Sequence, residues 1–451
     1  MINYKKANKL EEIDQAVRFN DPINPDHDFY TNFSDLRGDF EEKLVYKNLN
    51  INTKKGNCYF NAQLNSKNKS LLFLGGMRGT GKTTELAKYA KKLNTPDAFL
   101  CVTCNIDEGL NASNLEYMDI LIFQLERLTE ELENRQVRVN AGIIKKMEAW
   151  FTQRSQEVNR SLKSELGLEI GGGIKKGGIL SSLLGIFASL KAGVTGSYER
   201  TETVRKILQN RFSDFANIFN EYIEEVNVAL RKKNTAKEVL FIIDGLEKTM
   251  SIKTRYKIII EEAGYIQQIK AYTIFTLPIE LMKERPSLQR FSNLETFPFV
   301  KLYEKNGSVV KEAFDRFVEF TYKRIDKSLF ENEKIVRKAI KYGGGSPREL
   351  LRILELAAFY ADEDKGIIEM KALDKALIRL GNQSAANLTE AMIEKLQFIV
   401  DANKKFIPIP FDNILEEMLE KNLVMEYNAG NYKRPNPILE FSDIYKYRIQ
   451  A

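Results

Sequence analysis

Histidine and cysteine are nearly missing from this chain: 451 residues contain one histidine, His27, and three cysteines, Cys58, Cys101 and Cys104. A single histidine leaves no His-based metal centre and no Ser-His triad to assemble. Three cysteines make no disulfide framework and suit a reducing compartment. No apolar run is long enough to span a bilayer as a helix; the longest candidate, Ile179–Ala188, falls well short. Met1-Ile2-Asn3-Tyr4-Lys5-Lys6 leads into polar sequence, so no signal peptide is expected and the cytoplasm is the expected location. Chemistry in this chain must therefore run on carboxylates, lysine, arginine and hydroxyls. Hydrophobic residues at 43% and charged residues at 29% describe an ordinary globular protein. The length suits two to four domains.

What is present is a glycine-rich loop between an apolar run and a helical pattern. Leu71-Leu72-Phe73-Leu74 leads into Gly76-Met77-Arg78-Gly79-Thr80-Gly81-Lys82-Thr83, followed by Thr84 and the helical stretch Glu85–Ala90. Gly76–Thr83 fit the phosphate-binding pattern Gly-x-x-x-x-Gly-Lys-Ser/Thr. Glycines let backbone N–H groups curl around an anion, and the following helix points its positive end at the phosphates. Lys82 is expected to reach the β- and γ-phosphates of ATP or ADP, and Thr83 to offer its hydroxyl to Mg²⁺.

Apolar runs at Ala98–Cys104, Val239–Ile243, Ala271–Leu277 and Thr296–Leu302 predict four more strands. Strands alternating with helices indicate a parallel α/β sheet of the P-loop NTPase class. Residues 1–65 are expected to form an N-terminal arm near the nucleotide, and 66–303 the ATPase domain with a large insert at 106–235. A helical lid follows at 304–385, and a small unit at 386–451. Within the insert, Leu115–Glu133, Ile143–Glu157 and Val204–Lys232 read as amphipathic helices. Leu166–Ile170 and Leu190–Thr195 alternate like the arms of a hairpin around a glycine-rich turn. That element is either a buried hairpin plus helix or a protruding loop that meets a partner subunit, nucleic acid or a membrane surface. Residues 135–235 hold 17 Lys and Arg against 10 Asp and Glu, an excess of +7 in a chain of net charge +6. Any attraction to nucleic acid should lie there. In the last unit, helices at Leu388–Ala402 and Phe411–Lys421 precede strands at Val424–Tyr427 and Ile438–Phe441, the order of a winged helix.

Other residues carry candidate chemistry. Asp244, at the tip of a buried strand, has the placement of a Walker B carboxylate that holds Mg²⁺; the alternative is a helix cap. Gly245 stands where a water-activating glutamate often follows. Glu247 is the nearest candidate base, or else a solvated carboxylate. Thr276, at another strand tip, is placed to orient water, or simply ends its strand. In Gly343-Gly344-Gly345-Ser346-Pro347-Arg348, the first helical turn carries a cation against the helix dipole, which suggests that Arg348 faces the γ-phosphate. A surface salt bridge is the alternative. Arg285 and Arg290 are candidate arginine fingers toward a neighbouring subunit, or residues of an exposed helix face. Cys101 and Cys104 have CxxC spacing, but on a strand they point to opposite faces and are expected to pack the core.

This ordered set resembles the AAA+/STAND group of P-loop ATPases, in particular origin-recognition-type initiators and bacterial defence STAND proteins. The resemblance covers roughly residues 66–448. It implies Walker A roles for Lys82 and Thr83, Walker B for Asp244, sensor 1 for Thr276 and sensor 2 for Arg348. It implies ATP hydrolysis, self-assembly into a homo-oligomer, and an effector or sensor partner supplied in trans, with anti-phage defence as one setting. Asp244-Gly245-Leu246-Glu247 is closer to the STAND form than to a motor, favouring a slow switch. An initiator-like DNA-binding ATPase and a nucleotide-binding scaffold without turnover are the alternatives. Asp412, Glu416, Glu417 and Glu420 on the expected recognition helix argue against phosphate contact.

Overall fold

The computed structural model describes residues 4–61, 69–162, 179–249, 251–290 and 292–449. At its centre lies a five-stranded, wholly parallel sheet. Its strands are β3 (Leu71–Gly76), β4 (Phe99–Asn105), β5 (Glu238–Asp244), β6 (Tyr272–Pro278) and β7 (Asn293–Thr296); β1 (Ile51–Lys54) and β2 (Asn57–Phe60) form a separate hairpin before it. The spatial order is β4-β5-β6-β3-β7. Near-continuous apolar sequence makes these strands because both sheet faces are covered. Leu72, Leu74, Cys101, Leu240 and Ile242 pack under helix α1 (Lys82–Leu93) and the β1–β2 hairpin. Phe73, Leu100, Val102, Cys104 and Phe241 face the other way into a helical layer. The two cysteines of the CxxC spacing thus sit in different cores, both buried, with their thiols pushed up by burial.

That second layer is the insert. Helices α2 (Tyr117–Asn134), α3 (Ala141–Ser161), α4 (Ile179–Val194), α5 (Tyr198–Gln209) and α6 (Phe212–Lys233) pack through Phe151, Phe187, Phe215 and Phe219. A buried fork joins two of them: Arg205 Nε and Nη2 donate to the Asp119 carboxylate at 3.0 and 2.5 Å. The expected hairpin arm Leu190–Thr195 is instead the end of α4. Leu183, Phe187, Leu190 and Val194 recur at helical spacing along α4 and are buried, and this longer stripe overrides the short alternation. The other expected arm, 166–170, and its glycine-rich turn lie outside the described residues. Part of the insert's positive charge is paired within it, as in Lys191–Glu126 and Lys146–Glu221, and Arg231 pairs with Glu238 at the start of β5.

The last sheet strand differs from expectation. It spans Asn293–Thr296, and the apolar stretch beyond it, 297–302, is not in the sheet. Pro298 has no N–H for a ladder, and the neighbouring N–H groups go to separate segments. Phe297 donates to Gly75, Phe299 to Glu426, Val300 to Gly345 and Lys301 to Leu36, at 2.7–3.3 Å. This connector therefore binds the P-loop strand, the C-terminal unit, the lid and the N-terminal arm together.

Beyond it come the lid helices α7 (Lys311–Arg324), α8 (Glu333–Gly343), α9 (Pro347–Phe359) and α10 (Met370–Ala385). The N-terminal arm packs among them. Ala7 N–H donates to Arg324 O and Asp326 N–H to Ala7 O, both at 2.8 Å, and the Phe33 and Phe317 rings lie 4.5 Å apart. The C-terminal unit contains α11 (Glu390–Lys405), α12 (Asn413–Glu420) and an antiparallel pair, β8 (Val424–Tyr427) with β9 (Tyr432–Pro435). Its second strand is thus earlier than the expected Ile438–Phe441, which forms a 3₁₀ turn capped by Asn436. The turn around Asn428–Gly430 is short, so pairing resumes at once.

Candidate functional site

Parallel pairing puts the C-terminal ends of β3, β4, β5 and β6 along one edge. Leu74 is beside Thr276, Ile243 beside Phe275 and Asn105 beside Asp244. That edge is where open α/β sheets bind ligands. A cavity of about 460 Å³ opens there. It is lined by Arg78, Gly79, Gly81, Lys82, Thr83 and Thr84 of the loop after β3, by Asn105 and Glu247 from neighbouring strand ends, and by Arg348 of the lid.

The loop is folded as the sequence suggests. Gly81 ends it in the left-handed region and α1 starts at Lys82, so the first free N–H groups of α1 face the cavity. Lys82 is 5% exposed, and its ammonium donates to the carbonyls of Gly76 and Met77 at 2.8 and 2.9 Å. Thr80 Oγ1 also donates to Met77 O, at 3.0 Å. Burial lowers the Lys82 pKa, while the carboxylates of Glu247 and Asp244 oppose that shift.

Asp244 is 5% exposed at the end of β5. Burial raises its pKa, and the nearby Glu247 carboxylate raises it further, whereas the Thr83 hydroxyl, Lys82 and the Thr276 hydroxyl pull it down. Asp244 Oδ1 and Glu247 Oε2 are both buried without a hydrogen-bond partner among the described residues. The bare buried oxygen of Asp244 beside the Thr83 hydroxyl is a donor set that fits a divalent cation, with the Glu247 carboxylate next to it. Thr276 Oγ1 accepts from Gly245 N–H at 3.3 Å, tying the ends of β5 and β6. Gly245 has φ +95°, and a Cβ there would lie 3.1 Å from Asn105 Oδ1. Position 245 thus has backbone geometry that favours glycine. The 3₁₀ turn Leu246–Lys248 that starts on it carries Glu247 into the cavity wall.

From the lid, Ser346 caps α9 by accepting from Glu349 N–H and donates to Gly79 O at 3.1 Å. Arg348 donates to Asn20 Oδ1 of the arm. Burial lowers the Arg348 pKa, with the like charge of Arg78 as the next cause. Arg78 of the loop and Arg348 of the lid thus bring two like charges to the cavity lining, which an anion would relieve. Arg285 and Arg290 do not line this cavity; Arg285 donates to Thr296 Oγ1 at 2.8 Å and Arg290 is exposed.

Several wall residues were not anticipated. Phe19, Pro22, Ile23 and Tyr30 of the arm and Leu351 of α9 make an apolar side. Arg324 of α7 lines it as well, 3% exposed and stacked 3.8 Å from the Phe320 ring centroid, its pKa lowered to about 9 by burial. Arg37 is also buried; it donates to Pro298 O at 2.5 Å and Thr80 O at 2.9 Å, pinning the arm to the loop. The arm has no motif, and its packing against the lid and its bonds to the loop and α1 bring it here.

No family model matches the chain. No curated protein matches it in sequence. Among solved structures, it pairs with the Walker-type ATPase PABY2304 of Pyrococcus abyssi at 13% identity, over 92% of this chain and 98% of that one, with a TM-score of 0.38. A likeness that distant carries no weight here, and the functional assignment rests on the geometry of the cavity.

Proposed function

We propose that the chain is an ATP-binding, slowly hydrolysing P-loop ATPase of AAA+/STAND type that works as a conformational switch. The bare, buried oxygens of Asp244 and Glu247 beside the Lys82 loop are the observation that carries this. In this reading the backbone N–H groups of Gly79–Thr84 hold the phosphates. Lys82 leaves its two carbonyls to meet the β- and γ-phosphates, and Arg348 with Arg78 meets the γ-phosphate. The apolar arm side takes the base. Thr83 and Asp244 are the residues that would hold Mg²⁺, which when bound neutralises phosphate charge. Glu247 accepts a proton from the attacking water while the bond from the γ-phosphorus to the bridging oxygen breaks and ADP leaves. Thr276 holds the β6 end against Gly245, keeping that turn in register.

Arg348 in the lid and Asn20 in the arm close on the loop from different elements, which supports a shape change between ATP and ADP. The small C-terminal unit is read as a winged helix. We further propose self-assembly, with Arg285 or Arg290 reaching a neighbour's nucleotide, and control of a protein partner. DNA reading by α12 is disfavoured because Glu416 and Glu420 on that helix are paired with Lys283 and Arg255 of the same chain. Titration with Mg-ATP tests the core of this reading. Lys82→Ala is expected to lose binding, and retained binding would overturn it. Mass measurement with and without ATP, using Glu247→Gln to slow turnover, tests assembly.

A further inference from the structure

Arg255 sits outside the nucleotide cavity, yet its guanidinium holds three segments at once. It is 4% exposed, in the short helix Ile252–Tyr256. Nη1 donates to Thr249 O at 2.6 Å and, more weakly, toward Glu247 O at 3.5 Å. These carbonyls belong to the turn that carries the candidate base. Nη2 pairs with Glu280 Oε1 at 2.6 Å and with Glu420 Oε1 at 3.3 Å. Glu280 lies in the 3₁₀ segment Ile279–Glu284, directly after the β6 end that bears Thr276. Glu420 is on α12 of the C-terminal unit. One turn earlier on the same helix, Glu416 pairs with Lys283 at 2.7 Å. Met282, between them, presses on the P-loop strand: a Cβ on Gly75 would lie 2.3 Å from its sulfur.

The partners differ in a way that suits a release. Glu280 is 4% exposed on its side chain, and its pair with Arg255 is internal to the ATPase unit. Glu420 is 40% exposed, and the Lys283 side chain 34%. Half-solvated pairs of this kind contribute little each, whereas a buried charge stripped of its partner is costly. If α12 leaves, Arg255 keeps Glu280, so no buried charge is stranded, but Nη2 loses the second carboxylate that fixes the fork against the Thr249 carbonyl. Removing Glu420 also takes a like charge away from Glu280, whose pKa burial and the neighbouring Glu420 and Glu416 carboxylates raise.

We infer that Arg255 is a positioning residue coupling the C-terminal unit to the catalytic turn: α12, docked through Glu420 and Glu416, holds Arg255 and thereby Glu247 in place. This rests on the ATPase reading above. Undocking α12 loosens the 246–249 turn, and turnover falls while nucleotide affinity is kept, because the P-loop itself is untouched.

The test uses the full chain with Glu416→Gln and Glu420→Gln combined, and separately Arg255→Lys, which keeps the charge but not the fork. Amide hydrogen exchange is expected to rise in 413–420 and in 246–249 of the double variant. kcat is expected to fall about ten-fold with KM changed less than about two-fold, as displacement of a catalytic group predicts. Arg255→Lys should lower kcat likewise without speeding exchange across the sheet strands. Faster exchange at 413–420 with none at 246–249, or no change at either, overturns the coupling. A KM effect with kcat unchanged also overturns it. The exchange arm needs no nucleotide, so failure of the wild type to bind ATP would sink the ATPase reading while leaving this link separately decided.

Discussion

Gly245 starts the turn that carries Glu247 into the cavity wall. A side chain at φ +95° is strained, and this one would also crowd Asn105. Gly245→Ala is therefore expected to lower stability by about 1–2 kcal/mol, measured by urea unfolding, and to reduce turnover by moving Glu247. Asp244 gives a second prediction. Its raised pKa means that the folded protein holds a proton the unfolded chain has already lost. Between the ordinary aspartate value and that raised value, the unfolded state binds fewer protons, so the nucleotide-free protein loses stability as pH rises through this window. Asp244→Asn should remove that loss, stabilise the nucleotide-free protein by about 1 kcal/mol, and abolish Mg-dependent hydrolysis. A thermal melt across pH without nucleotide checks the first part, and a phosphate-release assay the second. Arg348→Ala should spare most ADP affinity and weaken ATP binding and hydrolysis. Equal loss of both nucleotides would argue against a γ-phosphate role.

Among the elements, the connector 297–302 matters most for assembling the site. Its sequence reads as a strand, and the expectation misplaced β7 for that reason. Its N–H groups bond to separate partners, and only the folded chain supplies them. Gly345 is where the lid meets it: φ is +79°, and a Cβ would fall 1.9 Å from Val300 O. Gly345→Ala is expected to cost 2 kcal/mol or more, on the order typical of backbone strain plus overlap. It should also unhook α9, seen as a loss of discrimination between ATP and ADP in nucleotide titrations. The same principle separates α4 from the expected hairpin. Local alternation over a few residues is weak evidence when a longer helical stripe passes through it.

Taken as a whole molecule, the chain builds its site by wrapping. Sheet edge, lid and N-terminal arm each contribute one wall, and Arg37 fastens the arm to Thr80 and Pro298. Arg37→Met should weaken ATP binding and lower the melting temperature together, since it leaves the Thr80 carbonyl without its donor. Saturating Mg-ATP is expected to raise the melting temperature of the wild type and not that of Lys82→Ala. An equal rise in both would remove the P-loop from the account.

The loop Gly76–Thr83, the buried strand ending at Asp244 and the capped start at Ser346-Pro347-Arg348 are legible in the sequence alone. Each is a contiguous stretch whose composition answers to local physics: glycine freedom, β-branched burial, helix capping. The arm's apolar wall, Arg324, the glycine geometry at 245 and the Arg255 cluster were decided only by tertiary structure. Those features join residues far apart in the chain, and their chemistry depends on which charges and carbonyls packing brings within hydrogen-bond reach.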